Sequence, residues 1–590
     1  MVDPKPNEIV QAEQLMNEGK TEEALKIVRV LQQKAWNYSY TNPDIALEIA
    51  SQNNDFIEKI GNEIDKAYNY LLFGNIYTFK GIIDRGLDFA QRSLKIFKKK
   101  NHRVGLASSF LLLGRVQFLN FDFKNAIQHF EQSLSIKEIT PGDRISNLLL
   151  LANIYGMRGE LVQALEYCEE GLKLTKEGKI YFFCPFFLYL IGGFHFYMDN
   201  YDIAKDYFER NLEVLKKFKN IQINGLNLFI LIIISLDEKN QQKTNEYLEQ
   251  LNELQTQRDN KFIAHVYSVA KGMVLIESGR MRDRAEAETL LKHVVDADLS
   301  SIQNDANAIQ FMLLRDVFAL YHLCNLYLEE LGMSNNLKII DDINPLILRL
   351  FEYAEKTQSK LLFTYVKVLQ GKLELIQMNF DNAKIILKEA QELAELENNQ
   401  FLAQRISNEH DRLLEQQKLW EKLKDANAPM SERIKLASFD SILERIQGKH
   451  FEEPLEIVNE QPILLLILAE GGILLFSYLF TDEWKHDTEI FSSFLSAFTS
   501  FSDEFFSKGL DRVKFGDDTL LIQSTGSFSV GYLYKGQSYP AKQKLTKFLE
   551  GIQDTASIWQ ALDKYYKTSQ IAEVKDLPQI EDLIKDIFIN

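Results

Sequence analysis

The chain has 590 residues, 46% of them hydrophobic, and a formal net charge of −17 at pH 7. This length exceeds what a single hydrophobic core supports, so two or more structural regions are expected. The acidic balance argues against a general nucleic-acid-binding role, because phosphate binding requires a basic face.

Small residues recur at a fixed interval in the first half of the chain. One set is separated by 40, 38 and 40 positions: Gly74, Gly114, Ala152 and Gly192. A second set lies twelve positions after the first: Gly86, Ala126, Ala164 and Ala204. Antiparallel helices pack closely where small side chains let their backbones approach, and a fixed period indicates stacked units. The pattern therefore predicts a stack of helical pairs.

This register resembles the tetratricopeptide-repeat family, whose unit is usually about 34 residues. The unit here is about 40 residues, which lengthens each helix by about one turn. The resemblance covers roughly residues 7–415 and is strongest over 64–215. It implies a mainly α protein in which residues 1–424 form a right-handed α-solenoid of about eight or nine helical pairs.

The helical pattern is interrupted after residue 424. Residues 431–447 then form one amphipathic helix, and we predict a linker over 425–453 that contains it. Helix 431–447 could also dock elsewhere in the protein as an internal ligand.

Residues 454–590 have the pattern of a small α/β domain. Two apolar runs, 463–468 and 473–478, flank a turn with two glycines and predict a buried β-hairpin. An aromatic helix over 487–507, three short strands over 511–534 and further helices follow. The order ββαβββα is similar to that of longin and roadblock domains. That resemblance rests on element order, and it implies contact with a small GTPase or a trafficking component.

Candidate binding residues follow from the tetratricopeptide resemblance, because first helices in that family line a concave groove. The groove positions hold Tyr68, Leu71, Asn75, Phe79, Leu111, Arg115, Phe118, Leu149, Asn153, Met157, Phe186, Tyr189 and Phe196. This largely apolar face would suit an amphipathic helix or an extended peptide. The alternative is that the same side chains pack against neighbouring repeats.

A second binding mode of the family is a clamp around a partner's terminal carboxylate. Asn75, Arg115 and Asn153 recur at one equivalent position, as such a clamp would require. No lysine accompanies them at the neighbouring groove positions, which argues against the clamp.

No motif in the sequence predicts catalysis, a metal site or a cofactor. The nine histidines include no pair spaced three or four residues apart, and there is no Gly-x-Ser-x-Gly elbow. We therefore expect no enzyme activity, although sites assembled in space escape such a search.

The cysteines and the N-terminus indicate a cytoplasmic protein. Cys168, Cys184 and Cys324 form no C-x-x-C pair and lie in apolar, helical segments, as free buried thiols do. Residues 1–6 lack the apolar core of a signal peptide. The apolar stretches 180–198, 223–236 and 463–480 are short or interrupted, so no membrane span is expected.

We therefore expect a non-catalytic scaffold or adaptor, in which the repeat groove binds one protein and the C-terminal domain binds a second. One alternative is a signalling or transcriptional regulator whose C-terminal domain dimerises. Another is an enzyme with its catalytic site in the C-terminal domain.

Overall fold

The structure of the chain is a computed structural model. It describes all residues except 1–6, 40–41, 199, 219, 258–259, 298–305, 397–399, 427, 438–459, 470–472, 482–511, 516–517, 526–527, 569 and 590. The predicted aromatic helix over 487–507 and the part of helix 431–447 after residue 437 lie outside the described residues.

The described part of the chain is mostly helical. Its N-terminal helices are α1 (Asn7–Asn17), α2 (Thr21–Ser39), α3 (Pro43–Ile60), α4 (Glu63–Phe79), α5 (Ile83–Lys99), α6 (Arg103–Leu119), α7 (Phe123–Leu134), α8 (Pro141–Arg158), α9 (Leu161–Glu177), α10 (Cys184–Tyr197) and α11 (Tyr201–Phe218). The helices that follow are α12 (Ile221–Asp237), α13 (Gln241–Gln257), α14 (Lys261–Glu277), α15 (Met281–Val295), α16 (Ala306–Ser334), α17 (Ile339–Lys356), α18 (Lys360–Ile376), α19 (Phe380–Leu396), α20 (Gln400–Asp425) and α21 (Met430–Ala437).

The helices pack as consecutive pairs. Over the described residues from α2 to α17 there are eight pairs, each made of an even-numbered first helix and the odd-numbered second helix after it. Each first helix from α2 to α14 also contacts the first helix of the next pair. This arrangement confirms the predicted stack of helical pairs.

Small residues lie where the helices of a pair approach. A Cβ atom added to Gly114 would lie 2.4 Å from the ring of Phe130, and one added to Gly86 would lie 2.4 Å from Oγ1 of Thr78. Ala126 is completely buried. Because no larger side chain fits without a shift of its neighbours, the repeating small residues fix the spacing of the helices.

The turns inside the pairs share one backbone conformation. Between α4 and α15, five of the described turns contain a residue with a positive φ: Gly81 (72°), Phe121 (59°), Gly159 (88°), Lys239 (54°) and Gly279 (68°). A residue in the left-handed backbone conformation commonly ends a helix. The recurrence of these residues at about 40 positions therefore reflects one turn geometry, repeated along the stack.

The chain forms two compact units. The first contains the described residues up to Val366, and the second contains Lys367–Ala437 together with the described residues after 459. In the second unit, Gly371 of α18 packs against Leu387 of α19, and α20 packs against the helix that follows the sheet. The limits predicted from sequence, at residues 424 and 454, remain a prediction.

The second unit contains one five-stranded antiparallel sheet. Its strands are β1 (Gln461–Ala469), β2 (Leu474–Leu479), β3 (Arg512–Phe515), β4 (Asp518–Thr525) and β5 (Phe528–Lys535). They lie in the order β2-β1-β5-β4-β3. The predicted hairpin of β1 and β2 is confirmed. The helix expected between β2 and β3 lies outside the described residues, so the longin or roadblock assignment remains a prediction.

Both faces of the sheet are apolar. One face packs with residues of α22 (Ser538–Asp554), α23 (Ala556–Thr568) and α24 (Pro578–Ile584). The other face carries a second buried cluster that includes Leu464, Leu466 and Leu533. Alternation of side chains along each strand places one cluster on each face. The outer edge of β2 is covered in part, because the amide of Ala572 donates to the carbonyl of Leu475 at 2.8 Å.

None of the described helices combines the length and the apolar character that a membrane crossing demands. Two of the three apolar stretches, 180–198 and 223–236, coincide with helices α10 and α12 of the repeat stack. The described residues of the third, 463–480, contribute to the paired strands β1 and β2.

Candidate partner-binding site

The thirteen groove candidates lie on four successive first helices: α4, α6, α8 and α10. Nine of them are buried: Leu71, Asn75, Phe79, Leu111, Arg115, Phe118, Asn153, Tyr189 and Phe196. Four are partly exposed: Tyr68, Leu149, Met157 and Phe186. The structure thus brings the candidates onto adjacent helices and divides them into a buried set and a partly exposed set.

Several buried candidates contact the second helix of their own pair. The ring of Tyr189 in α10 lies edge-on to Phe208 in α11, with centroids 5.9 Å apart. The ring of Phe118 in α6 lies 6.0 Å from that of Phe123 in α7. These rings contribute to the core of the stack. Whether they also contact a partner remains a prediction.

A chain of polar contacts links three successive first helices. Asn75 Nδ2 donates to Ser39 Oγ at 3.0 Å, and Arg115 donates through Nη1 to Asn75 Oδ1. The Arg115 guanidinium also lies 5.1 Å from the centroid of the Phe79 ring. Asn153 instead donates to the carbonyl of Leu149 on its own helix at 2.8 Å. Asn75 and Arg115 are therefore joined to each other, whereas Asn153 is not joined to them by these bonds.

A carboxylate that the sequence reading did not single out lies at the N-terminal end of this face. Asp143 of α8 accepts a hydrogen bond from Ser108 Oγ of α6 at 2.5 Å. Burial raises the pKa of Asp143, and the Ser108 hydrogen bond and the charge of Arg115 partly oppose that rise. Burial also raises the pKa of Tyr68, with a further contribution from the charge of Asp143. An acidic group beside a phenol hydroxyl favours hydrogen-bond donors and cations.

The sequence around Asp143 predicts the start of a helix and not a binding site. Thr140, Pro141 and Asp143 have the spacing of a helix start, and Thr140 Oγ1 does accept from the backbone amide of Asp143 at 3.0 Å. Acidic residues are common in the first turn of a helix, so the sequence gives no reason to place this one in a groove.

Helix α16 also reaches the first-helix face. It packs beside α14 and α15, as its place in the stack requires, and it also contacts α4 and α6. The ring of Phe318 lies edge-on to Phe229 of α12, with centroids 5.3 Å apart. Phe229 comes 40 positions after Tyr189 and so holds an equivalent groove position. Lys356, the last residue of α17, lies over the ring of Phe121 at 4.7 Å from its centroid.

The described residues contain no group of acidic, histidine or cysteine side chains that could hold a metal ion. A small cavity between α12, α14 and α16 is lined by Ile233, Met273 and His322. It has room for about one water molecule. The three cysteines are free and buried, and burial raises the pKa of each thiol.

Paired helices with a period of about 40 residues define an α-solenoid of the tetratricopeptide-repeat type. Residues 72–403, more than half of the chain, match the family model described as the MalT-like TPR region. The chain therefore belongs to this family. No curated protein matches the chain.

Solved structures of repeat proteins are similar to the chain at low identity. A Rap protein complexed with competence and sporulation factor is 15% identical with a TM-score of 0.39, over 72% of this chain and 99% of that chain. The apo form of RapI is 16% identical with a TM-score of 0.34, over 45% of this chain and 98% of that chain. Yeast Tom70 is 14% identical with a TM-score of 0.31, over 74% of this chain and 90% of that chain. Because these TM-scores are low, the fold assignment rests on the family match and the repeat geometry.

Proposed function

We propose that this protein is a non-catalytic interaction scaffold whose repeat region binds an amphipathic helix or an extended peptide of a partner protein. The observation that carries the proposal is the partly exposed set on the first helices. Tyr68 of α4, Leu149 and Met157 of α8, and Phe186 of α10 are large apolar side chains that no neighbour fully covers. Side chains of this kind on adjacent helices supply affinity for an apolar partner face.

The packing beneath these residues supports a binding role. Buried rings and small residues fix the spacing of the helices, as the fit of Phe130 against Gly114 illustrates. A surface that is already ordered loses less conformational entropy when a ligand binds. The paired helices that form the groove are therefore already ordered before a partner binds.

The carboxylate at the N-terminal end of the face would set the orientation of a bound partner segment. The charge of Asp143 contributes to the raised pKa of Tyr68, and the charge of Arg115 lowers the pKa of Asp143. The three groups therefore lie close enough together to interact electrostatically. We propose that a lysine, an arginine or the amino end of the partner segment lies at this end. Its apolar residues would then contact the side chains further along α8 and α10.

The test compares two double variants of the full chain after crosslinking in cells and mass spectrometry have identified the partner. Tyr68→Ser with Phe186→Ser removes two partly exposed groove side chains. Val162→Ser with Ile203→Ser is the matched control, because these residues are 70% and 46% exposed on the second helices α9 and α11. We expect the groove variant to bind the partner about 10- to 100-fold more weakly and the control to bind as wild type does. Equal affinity of both variants would reject the groove as the binding site.

We propose a second contact, with a small GTPase or a trafficking protein, at the C-terminal α/β region. Its support is the resemblance in element order to longin and roadblock domains, together with the β1–β2 hairpin. The rival is dimerisation through this region. Light scattering on the full chain separates them: a stable dimer supports the rival, whereas a monomer that binds a nucleotide-loaded GTPase supports the second contact.

The buried free cysteines support a cytoplasmic location.

A further inference from the structure

Helix α16 is longer than the first helices around it. It has 29 residues, whereas α4, α6, α12 and α14 have 17 each. At about 1.5 Å per residue, the difference adds roughly 18 Å to its length. A helix of ordinary length would be sufficient to stack on its neighbours, so the additional length requires a separate explanation.

The contacts of α16 extend beyond its neighbours in the stack. The helix packs beside α14 and α15 and also contacts α4 and α6, which belong to pairs near the other end of the first unit. Phe318 packs against the groove position Phe229. Asp316, which is 3% exposed, accepts a hydrogen bond from Tyr353 Oη of α17 at 2.8 Å. Helix α16 is thus attached to α17 while it contacts the first helices of four other pairs: α4, α6, α12 and α14.

Burial around α12 and α16 agrees with this arrangement. Every residue from 226 to 235 in α12 is buried, and so is every residue from 318 to 328 in α16. A first helix in an open stack keeps one side toward the groove, where solvent reaches it. Helices that are apolar and buried on all sides are covered all round by protein. The side of α12 toward the groove is therefore covered, and Phe318 is one of the side chains that cover it.

We propose that α16 is a built-in occupant of the repeat groove, and that an amphipathic helix of a partner binds by displacing it from α4, α6 and α12. This inference rests on the proposed function. The partner helix would present leucine and aromatic side chains along one face, at the helical spacing that Phe318, Tyr321 and Leu328 have in α16. A tethered occupant competes at a high effective concentration, so it lowers the apparent affinity for any partner.

The first measurement is hydrogen exchange on the full chain. Phe318→Ala removes the ring that packs on Phe229 and leaves α4 and α6 unchanged. We expect amides of residues 306–334 to exchange about 100-fold faster in this variant, since truncating a buried phenylalanine strongly weakens its docking. Phe187→Ala is the matched control, because Phe187 of α10 is also completely buried but packs on Gly171 of α9. In the control, α16 should exchange as it does in wild type.

The second measurement is binding of a fluorescent peptide with the sequence of residues 306–334. The Phe318→Ala chain should bind this peptide at least about tenfold more tightly than the wild-type or Phe187→Ala chain, because its own α16 competes less. A scrambled peptide of the same composition should bind none of them. The proposal requires both results, and unchanged exchange or absent peptide binding overturns it. A partner that binds through Tyr68 and Phe186 would still support the proposed function in that case.

Discussion

Arg512 of β3 forms an ion pair with Asp411 of α20, with 2.8 Å between Nη1 and Oδ1 and only 1% of the arginine side chain exposed. The same guanidinium donates through Nη2 to Gln391 Oε1 of α19 at 2.9 Å. Asp411 also accepts from the amide and the hydroxyl of Ser538 at the start of α22, at 3.0 and 2.6 Å. One carboxylate thus joins a strand and two helices of the second unit. The ion pair makes α20 part of the core of that unit.

The first prediction concerns this ion pair. Asp411→Ala leaves the buried Arg512 guanidinium without its counter-charge and removes both acceptors of Ser538. Removing one partner of a buried ion pair typically costs about 3–5 kcal/mol. We expect a loss of that size in the free energy of unfolding of the second unit, measured by urea denaturation followed by near-ultraviolet circular dichroism.

The control for that experiment is an exposed pair in the same chain. Asp206 and Arg210 of α11 form an i,i+4 ion pair whose side chains are 61% and 54% exposed. Asp206→Ala should cost less than about 0.5 kcal/mol, because exposed pairs are weakened by solvent and salt. Similar losses for Asp411→Ala and Asp206→Ala would mean that the Arg512 contact contributes little.

The second prediction concerns the spacing of the helices. Gly114→Ala places a methyl group 2.4 Å from the Phe130 ring, so α6 and α7 must move apart or the ring must leave its rotamer. Overpacking of this kind costs about 1–3 kcal/mol. Thermal unfolding of the full chain should show the loss as a lower midpoint for the first unit.

Gly142 provides a matched control for Gly114. It lies near the start of α8, and a Cβ atom there would meet nothing within 4 Å. Gly142→Ala should leave stability unchanged or raise it by up to about 1 kcal/mol, since alanine favours the helix over glycine. A loss at Gly142 that equals the loss at Gly114 would contradict the role assigned to the small residues.

The sequence was sufficient to predict the stack of helical pairs because the small residues that allow close packing recur at a short, fixed spacing. Gly114 and Ala126 are twelve positions apart, and the same spacing recurs in the other three units between residues 64 and 215. The hairpin of β1 and β2 was predictable because two apolar runs around a glycine turn lie within twenty residues.

Contacts between residues that the repeat period does not relate could not be predicted from the sequence. Arg512 and Asp411 are 101 positions apart, and each belongs to a residue type that is abundant on surfaces. The contacts of α16 with α4 and α6 join helices that are more than 180 positions apart, and no short window of sequence reveals them. The burial of nine groove candidates has the same origin, because their neighbours come from other helices.

The third prediction concerns pH and Asp143. Burial raises the pKa of this carboxyl above its ordinary value of 3.8 in the folded protein. The folded chain therefore binds a proton more readily at this site than the unfolded chain does. Its contribution to stability is greatest at low pH and is lost as the pH rises from about 4 through the folded pKa. Asp143→Asn, which keeps the size of the side chain and does not titrate, should remove that dependence.

Urea denaturation of the wild-type chain and the Asp143→Asn variant between about pH 4 and pH 7 tests this sign. The free energy of unfolding of the variant, relative to wild type, should rise as the pH increases, because only wild type must keep a buried carboxylate charged. Gly142→Ala is the control, because this neighbouring substitution involves no titratable side chain. Its difference from wild type should stay constant over the same range. A constant difference for Asp143→Asn as well would show that Ser108 and Arg115 fully compensate the burial of the Asp143 charge.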